Sequence, residues 1–122
     1  MRKLDIESLI KEGVLSNQEK LALNQLTNHL TNNWPGTKLR LFGSKVKGTA
    51  DKESDIDVLI LLPCEVTEEL RRQIIHIIFD VNLASGTNIS ALILSEKEWD
   101  SGKFSILPIH SVIEEEGVPL HE

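Results

Sequence analysis

Two aspartates one residue apart, Asp55 and Asp57, stand at the head of the apolar run Ile56 to Leu62. In a strand, side chains at i and i+2 share a face, so this spacing projects both carboxylates from one side, with Ile56 and Val58 on the other. Two such carboxylates repel one another unless a cation lies between them. Their oxygens suit Mg²⁺, which takes one or two carboxylates together with substrate phosphates. Upstream, a second apolar run ends in Gly43-Ser44. Gly43 lets backbone or phosphate approach closely. The amides that follow Ser44 are candidates for a helix N-terminus or nest that binds anions. Lys45 adds a positive charge where phosphates would lie. The pattern predicts phosphates on the Gly43, Ser44 and Lys45 side and a metal on the Asp55 and Asp57 side.

These residues need rigid elements behind them. Thr37 to Phe42 is compatible with a strand, with Leu39, Leu41 and Phe42 as its apolar members. Lys45 to Lys47 reads as one helical turn, and Gly48 to Ser54 as a loop. Ile56 to Leu62 is a near-continuous apolar run, as in a central strand buried on both faces, and Pro63 ends it. Before the first strand, Asp5 to Glu12 reads as a short helix. Ser16-x-x-Glu19 opens a longer helix with Leu23, Leu26 and Leu30 inward and Trp34 as a core anchor. After Pro63, Thr67 caps a helix whose Leu70, Ile74, Ile75, Ile77, Ile78 and Val81 form a wide apolar face. Ile89 to Leu94 is a third strand, and Ser95-x-x-Glu98 caps a short helix carrying Trp99. A last helix is expected over Ser105 to Glu116, with Ile109, Val112 and Ile113 inward. A tail from Val118 is either an edge segment or mobile. The alternation predicts an α/β fold, a small mixed sheet of three or four strands with flanking helices, in one domain over residues 1–122.

Composition sets the outer limits. A net charge of −6 argues against an extended nucleic-acid surface, which needs clustered Lys and Arg. The single cysteine, Cys64, rules out an intrachain disulfide and fits a reducing, cytoplasmic setting. It reads as a small buried apolar residue. Met1 to Lys11 lacks an apolar signal core, and no run reaches the ~20 residues that span a bilayer, so no membrane role is expected. The four histidines read as surface or packing residues. Glu114 to Glu116 reads as a solvated helix end, unfavourable by the helix dipole and open to a basic partner.

Gly43-Ser44, ten residues (Lys45 to Ser54), then Asp55-Ile56-Asp57 is a specific composite, strengthened by Leu41-Phe42 before it, Gly48 within it and Ser54 before the first aspartate. It resembles the nucleotidyltransferase superfamily of DNA polymerase beta, and more closely its minimal nucleotidyltransferases. The resemblance extends more loosely to the order of elements and to Ser95 to Trp99 and Glu116 to Leu120. It implies a polymerase beta palm-like fold, Mg²⁺ held by Asp55 and Asp57, and triphosphate contacts from Gly43 and Ser44. The implied reaction is transfer of a nucleoside monophosphate, most plausibly AMP from ATP, to a hydroxyl. The chain leaves no length for an acceptor domain. The family therefore implies an acceptor on another protein, such as a small helical HEPN-type toxin of which this chain would be the antitoxin. A homo-oligomer or a small-molecule acceptor is the less direct route. Active relatives often carry a third carboxylate on the next strand. Here that position falls on Ser90, and the nearest upstream acid, Asp80, is expected on a helix. That departure supports an alternative from another class, a catalytically weak nucleotide-binding module that acts by binding a partner protein.

Overall fold

The computed structural model describes residues 5–47 and 55–121, without the side chains of Ser44 and Lys47. The loop expected over Gly48 to Ser54 lies outside the described residues, as do Met1 to Leu4 and Glu122.

Four of the described helices begin where a side-chain oxygen takes up an orphan backbone amide. Asp5 caps α1 (Ile6–Lys11) by accepting from Ser8 N. Ser16 and Glu19 form the expected capping box at the start of α2 (Asn17–Asn33). Thr67 caps α4 (Glu68–Ser85), which Gly86 ends at φ +66°. A second capping box, Ser95 with Glu98, opens α5 (Glu96–Ser101). Between these lie β1 (Lys38–Phe42), α3 (Ser44–Lys47), β2 (Ile56–Leu62) and β3 (Ile89–Ser95). A 3₁₀ turn over Lys103–Ile106 leads to α6 (Pro108–Glu116) and β4 (Val118–His121). The last helix thus starts at Pro108 rather than Ser105, because proline at the first helical position lacks the amide that a preceding turn would need. The tail is an edge strand, where Pro119 is tolerated because no central ladder bond is required of it.

The sheet runs β3-β2-β1-β4. β1 is antiparallel to both β2 and β4, while β2 and β3 are parallel and joined through α4, so the sheet is mixed. One face carries Leu39, Leu41, Ile56, Val58, Ile60, Leu62, Ile89 and Ile93 and is covered by α1, α2, α3 and α4. The other carries Leu59, Leu61 and Leu94, with Trp99 of α5 and Ile113 of α6 on top and Phe42, Leu92 and Phe104 at its margin. With apolar clusters on both sides, β2 reads as a continuous apolar run. Among the described residues, no helix is long and apolar enough to cross a membrane.

Several expectations about individual residues change in the fold. Ile75 points outward at 53% exposure, with Phe79 and Leu83 on the same outer side of α4. The buried arc is Leu70, Ile74, Ile78 and Val81, with Ile77 partly buried against the same core. Ile109 is 38% exposed, because α6 lies on the sheet through Ile113. Cys64 is exposed, in the connection after Pro63 that leaves the sheet. Trp34 is half-buried at the C-cap of α2, packed on the main core. Glu114 to Glu116 are exposed at the helix end, as expected, but Glu114 also has partners. It accepts from Trp99 Nε1 at 2.6 Å and from Arg40 Nη1 at 3.2 Å, which ties α6 to α5 and β1. The Trp99 bond, with Arg40 assisting against partial burial, holds the Glu114 carboxyl below its ordinary pKa. His110 packs on Trp99 with ring centroids 4.3 Å apart, His76 lies 3.5 Å from Asp80, and His29 and His121 are exposed.

The two faces of α4 give a direct test. Ile74→Ala should lower unfolding free energy by about 2–5 kcal/mol, as for other buried truncations. Ile75→Ala should stay within about 0.5 kcal/mol of the parent. Urea melts of both variants measure this, and equal losses would contradict the assignment of faces.

Candidate functional site

β1 delivers the chain to the Gly43 turn, and β2 leaves from Asp55. The antiparallel register sets Phe42 opposite Asp57. The parallel register on the other side sets Asp57 opposite Ser90. Phe42, Asp57 and Ser90 therefore form one row across three strands, on the face that carries Leu59, Leu61 and Leu94 further along. Ile56 and Val58 point the other way into the main core. The site thus lies at the carboxyl end of β1 and the amino ends of β2 and β3. It is away from the carboxyl end of the parallel pair, where clefts in wholly parallel sheets form. A cleft of about 660 Å³ does occupy that opposite end, lined by Pro63, Cys64, Glu65, Ser95 and Glu98 among others, and it shares no residue with the Asp57 row.

Gly43 sits at φ +83°, a conformation that other residues reach only with strain. Its Cα faces the Asp57 side chain. A methyl group built there would fall on Asp57 Oδ2 and lie 3.1 Å from its Cγ. The turn and the carboxylate are therefore in direct apposition, and any side chain at 43 would displace one of them. Val46 N donates to Gly43 O at 3.1 Å and closes the turn into α3. The Ser44 and Lys47 side chains lie outside the described atoms.

Asp57 is partly buried and Asp55 exposed. Burial, and secondarily the charge of Asp55, raise the Asp57 pKa above its ordinary 3.8. Asn88, which sequence reasoning missed, supplies the support. Its Nδ2 donates to Asp55 Oδ1, and its carbonyl accepts from Ile56 N at 2.9 Å. Asn82 fixes the adjoining start of β3: its Oδ1 accepts from Ile89 N at 2.8 Å and its Nδ2 donates to Ile89 O at 3.0 Å. The sequence signal was two asparagines flanking the Ser85-Gly86-Thr87 turn. Turns commonly hold asparagine for local backbone bonds, so the pattern alone does not point to a site.

Lys45 is placed differently from the simple expectation of an outward phosphate ligand. It is 2% exposed, with Nζ 3.5 Å from Val14 O and 3.6 Å from Glu19 Oε2. Asp80 is exposed on α4 beside His76 and does not supply a third acid. Ser90, in the row next to Asp57, is exposed. Among the described residues, no group of three or more His, Cys, Asp or Glu could hold a metal ion. Two hard-oxygen carboxylates on one face, with Asp57 already resisting ionisation beside Asp55, form a donor pair that a divalent cation would relieve.

A glycine turn set against a strand carboxylate, with a parallel third strand beside it, defines a small mixed-sheet α/β domain. Residues 23–117 match the nucleotidyltransferase domain family, and the chain belongs to it. A solved structure described as the crystal structure of a toxin-antitoxin with AMP-PNP is similar in fold, with TM-score 0.56 and 20% identity. The match covers 80% of this chain and 71% of that one. No curated protein sequence matches the chain.

Two outcomes follow from the site. Gly43→Ala should abolish the native apposition with Asp57 and cost about 1–2 kcal/mol from the left-handed backbone alone, measured by thermal melts. For Asp57 the folded pKa is raised, so its contribution to stability is fully present below pH 3.8 and is lost as pH rises through the folded value. Asp57→Asn should therefore gain stability relative to the parent between acid and neutral pH. Melts in a chelator across that range should show the difference widening, and a constant offset would refute it.

Proposed function

We propose that this protein is a minimal nucleotidyltransferase that moves AMP from ATP to a hydroxyl on a partner protein. The observation that carries this is the apposition of the Gly43 turn and the Asp57 carboxylate, with Asp55 at its side, in a chain of the nucleotidyltransferase domain family. The hydroxyl oxygen forms a bond to the α-phosphorus, the bond from the α-phosphorus to the bridging oxygen breaks, and pyrophosphate leaves while the hydroxyl proton is released. Asp55 and Asp57 would hold Mg²⁺, which when bound lowers the pKa of the attacking hydroxyl and neutralises charge on the leaving group. Asn88 orients Asp55, and the half-buried setting of Asp57 keeps its charge in a less polar environment where it acts more strongly. Gly43 and the backbone around Ser44 would receive the β- and γ-phosphates. Catalysis of this kind is mostly positioning and charge neutralisation.

The description of the structural neighbour, a toxin-antitoxin with AMP-PNP, supports an adenine nucleotide and a protein partner. The family resemblance of the sequence extends this reading to the role of antitoxin to a small HEPN-type toxin. A second reading is favoured by Ser90, which occupies the row position beside Asp57 without a carboxylate. On that reading the domain binds nucleotide and restrains its partner by contact alone.

The experiment is incubation with ATP labelled at the α-phosphate, Mg²⁺ and the protein of the adjacent gene. Transfer of label to that protein is expected. Asp55→Asn and Asp57→Asn should each reduce transfer by at least 10²-fold, of the order reported for loss of a transition-state charge stabiliser. A stable complex with no transfer under any condition would select the binding reading.

A further inference from the structure

We propose that Lys45 is a positioning residue that ties the phosphate-side turn to the N-terminal cap of α2, which makes Val14, Ser16 and Glu19 part of the support of the nucleotide site. This rests on the nucleotide-binding reading above. Lysines are almost never fully buried unless paired, and Lys45 is 2% exposed. Its ammonium faces the Val14 carbonyl at 3.5 Å and Glu19 Oε2 at 3.6 Å. Glu19 is itself fixed, since its Oε1 accepts from Ser16 N at 2.9 Å while Ser16 Oγ accepts from Glu19 N at 3.0 Å. One carboxylate therefore serves two purposes: it completes a capping box and it receives the lysine of α3.

The turn needs such an anchor. α3 has only four residues, too few for a helix to sustain itself. Its flanking described neighbour is Gly43, the least constrained residue type. Val46 seats one side of α3 in the main core, and Lys45 fixes its position toward α1 and α2. A methionine would fill comparable space without the desolvation of an ammonium, and a buried ion pair is seldom better for stability than an apolar replacement. What the lysine adds is directional bonding that sets where the turn sits relative to Asp57. The family match begins at residue 23, so all three anchoring residues lie upstream of the matched segment. The N-terminal segment is then a component of the site rather than a passive cover.

The test is calorimetric binding of ATP with Mg²⁺ to the full chain, alongside thermal melts, for the parent, Glu19→Gln, Lys45→Met, Lys45→Arg and the Glu19→Gln/Lys45→Met double variant. Glu19→Gln and Lys45→Met should each weaken ATP by about tenfold. The double variant should be no weaker than the worse single, because both remove one interaction. Lys45→Arg should recover part of the affinity. Lys45→Met weakened with Glu19→Gln unchanged would mean that the lysine contacts phosphate directly and would overturn the proposal. Lower melting temperatures with unchanged ATP affinity would also overturn it, as a structural pair only. Should Lys45→Met fail to fold, Glu19→Gln alone decides the matter. Absence of ATP binding by the parent would sink the nucleotide reading itself, and the proposal with it.

Discussion

The structure depends on one close approach, the backbone of Gly43 against the carboxylate of Asp57. It is permitted because position 43 has no Cβ and takes φ +83°, and it is enforced because β1 and β2 are hydrogen-bonded neighbours with Phe42 opposite Asp57. The carboxylates would repel an anion held at the turn unless a cation mediates. Holding them together therefore requires a rigid scaffold, and the fold supplies one. β2 is buried by apolar clusters on both faces, so the strand carrying the carboxylates cannot twist away from the strand carrying the turn.

The two faces of the sheet divide the work. The face under α2 and α4 holds the larger cluster and is continuous from Leu39 to Ile93. The opposite face is apolar only over part of its area, where Trp99 and Ile113 close it, and Glu114 secures that lid by bonding both Trp99 and Arg40. Beyond the margin at Phe42 and Leu92 the face turns polar in the row of Asp57 and Ser90. This gradient sets the electrostatics of the site. Asp57 is close enough to the apolar cover to resist ionisation, yet it and Asp55 still face solvent on the side where a ligand would arrive.

Membership of the nucleotidyltransferase domain family fits this arrangement, and the likeness to a toxin-antitoxin structure shows that the same fold occurs in such a setting. The chain brings together a glycine turn, two carboxylates, an asparagine bonded to one of them, and a buried lysine behind the turn. The exposed Ser90 beside Asp57 leaves this cluster with less negative charge than three carboxylates would have.

Much of this was legible in the sequence. The Gly43-Ser44 to Asp55-Ile56-Asp57 spacing singled out the candidate residues, and Ser16, Thr67 and Ser95 marked helix starts, because each of these follows from local geometry. The sequence also pointed to Ser90 as the place of a missing acid, and the parallel register sets it beside Asp57. Long-range partners were not legible. Periodicity assigned Ile75 and Ile109 to apolar faces, but only the contact area available on the sheet decides how wide an arc is covered. A lysine after a glycine turn reads as a phosphate ligand, and a glutamate near a helix end gives no sign of a long-range partner. Lys45 instead faces Glu19 and Glu114 holds Trp99, across 26 and 15 residues of chain, a difference of sequence positions that only folding closes. Local preference determined the elements and the chemistry they carry. Packing decided which charges meet, because burial makes an ionised group seek whatever partner the fold brings within reach.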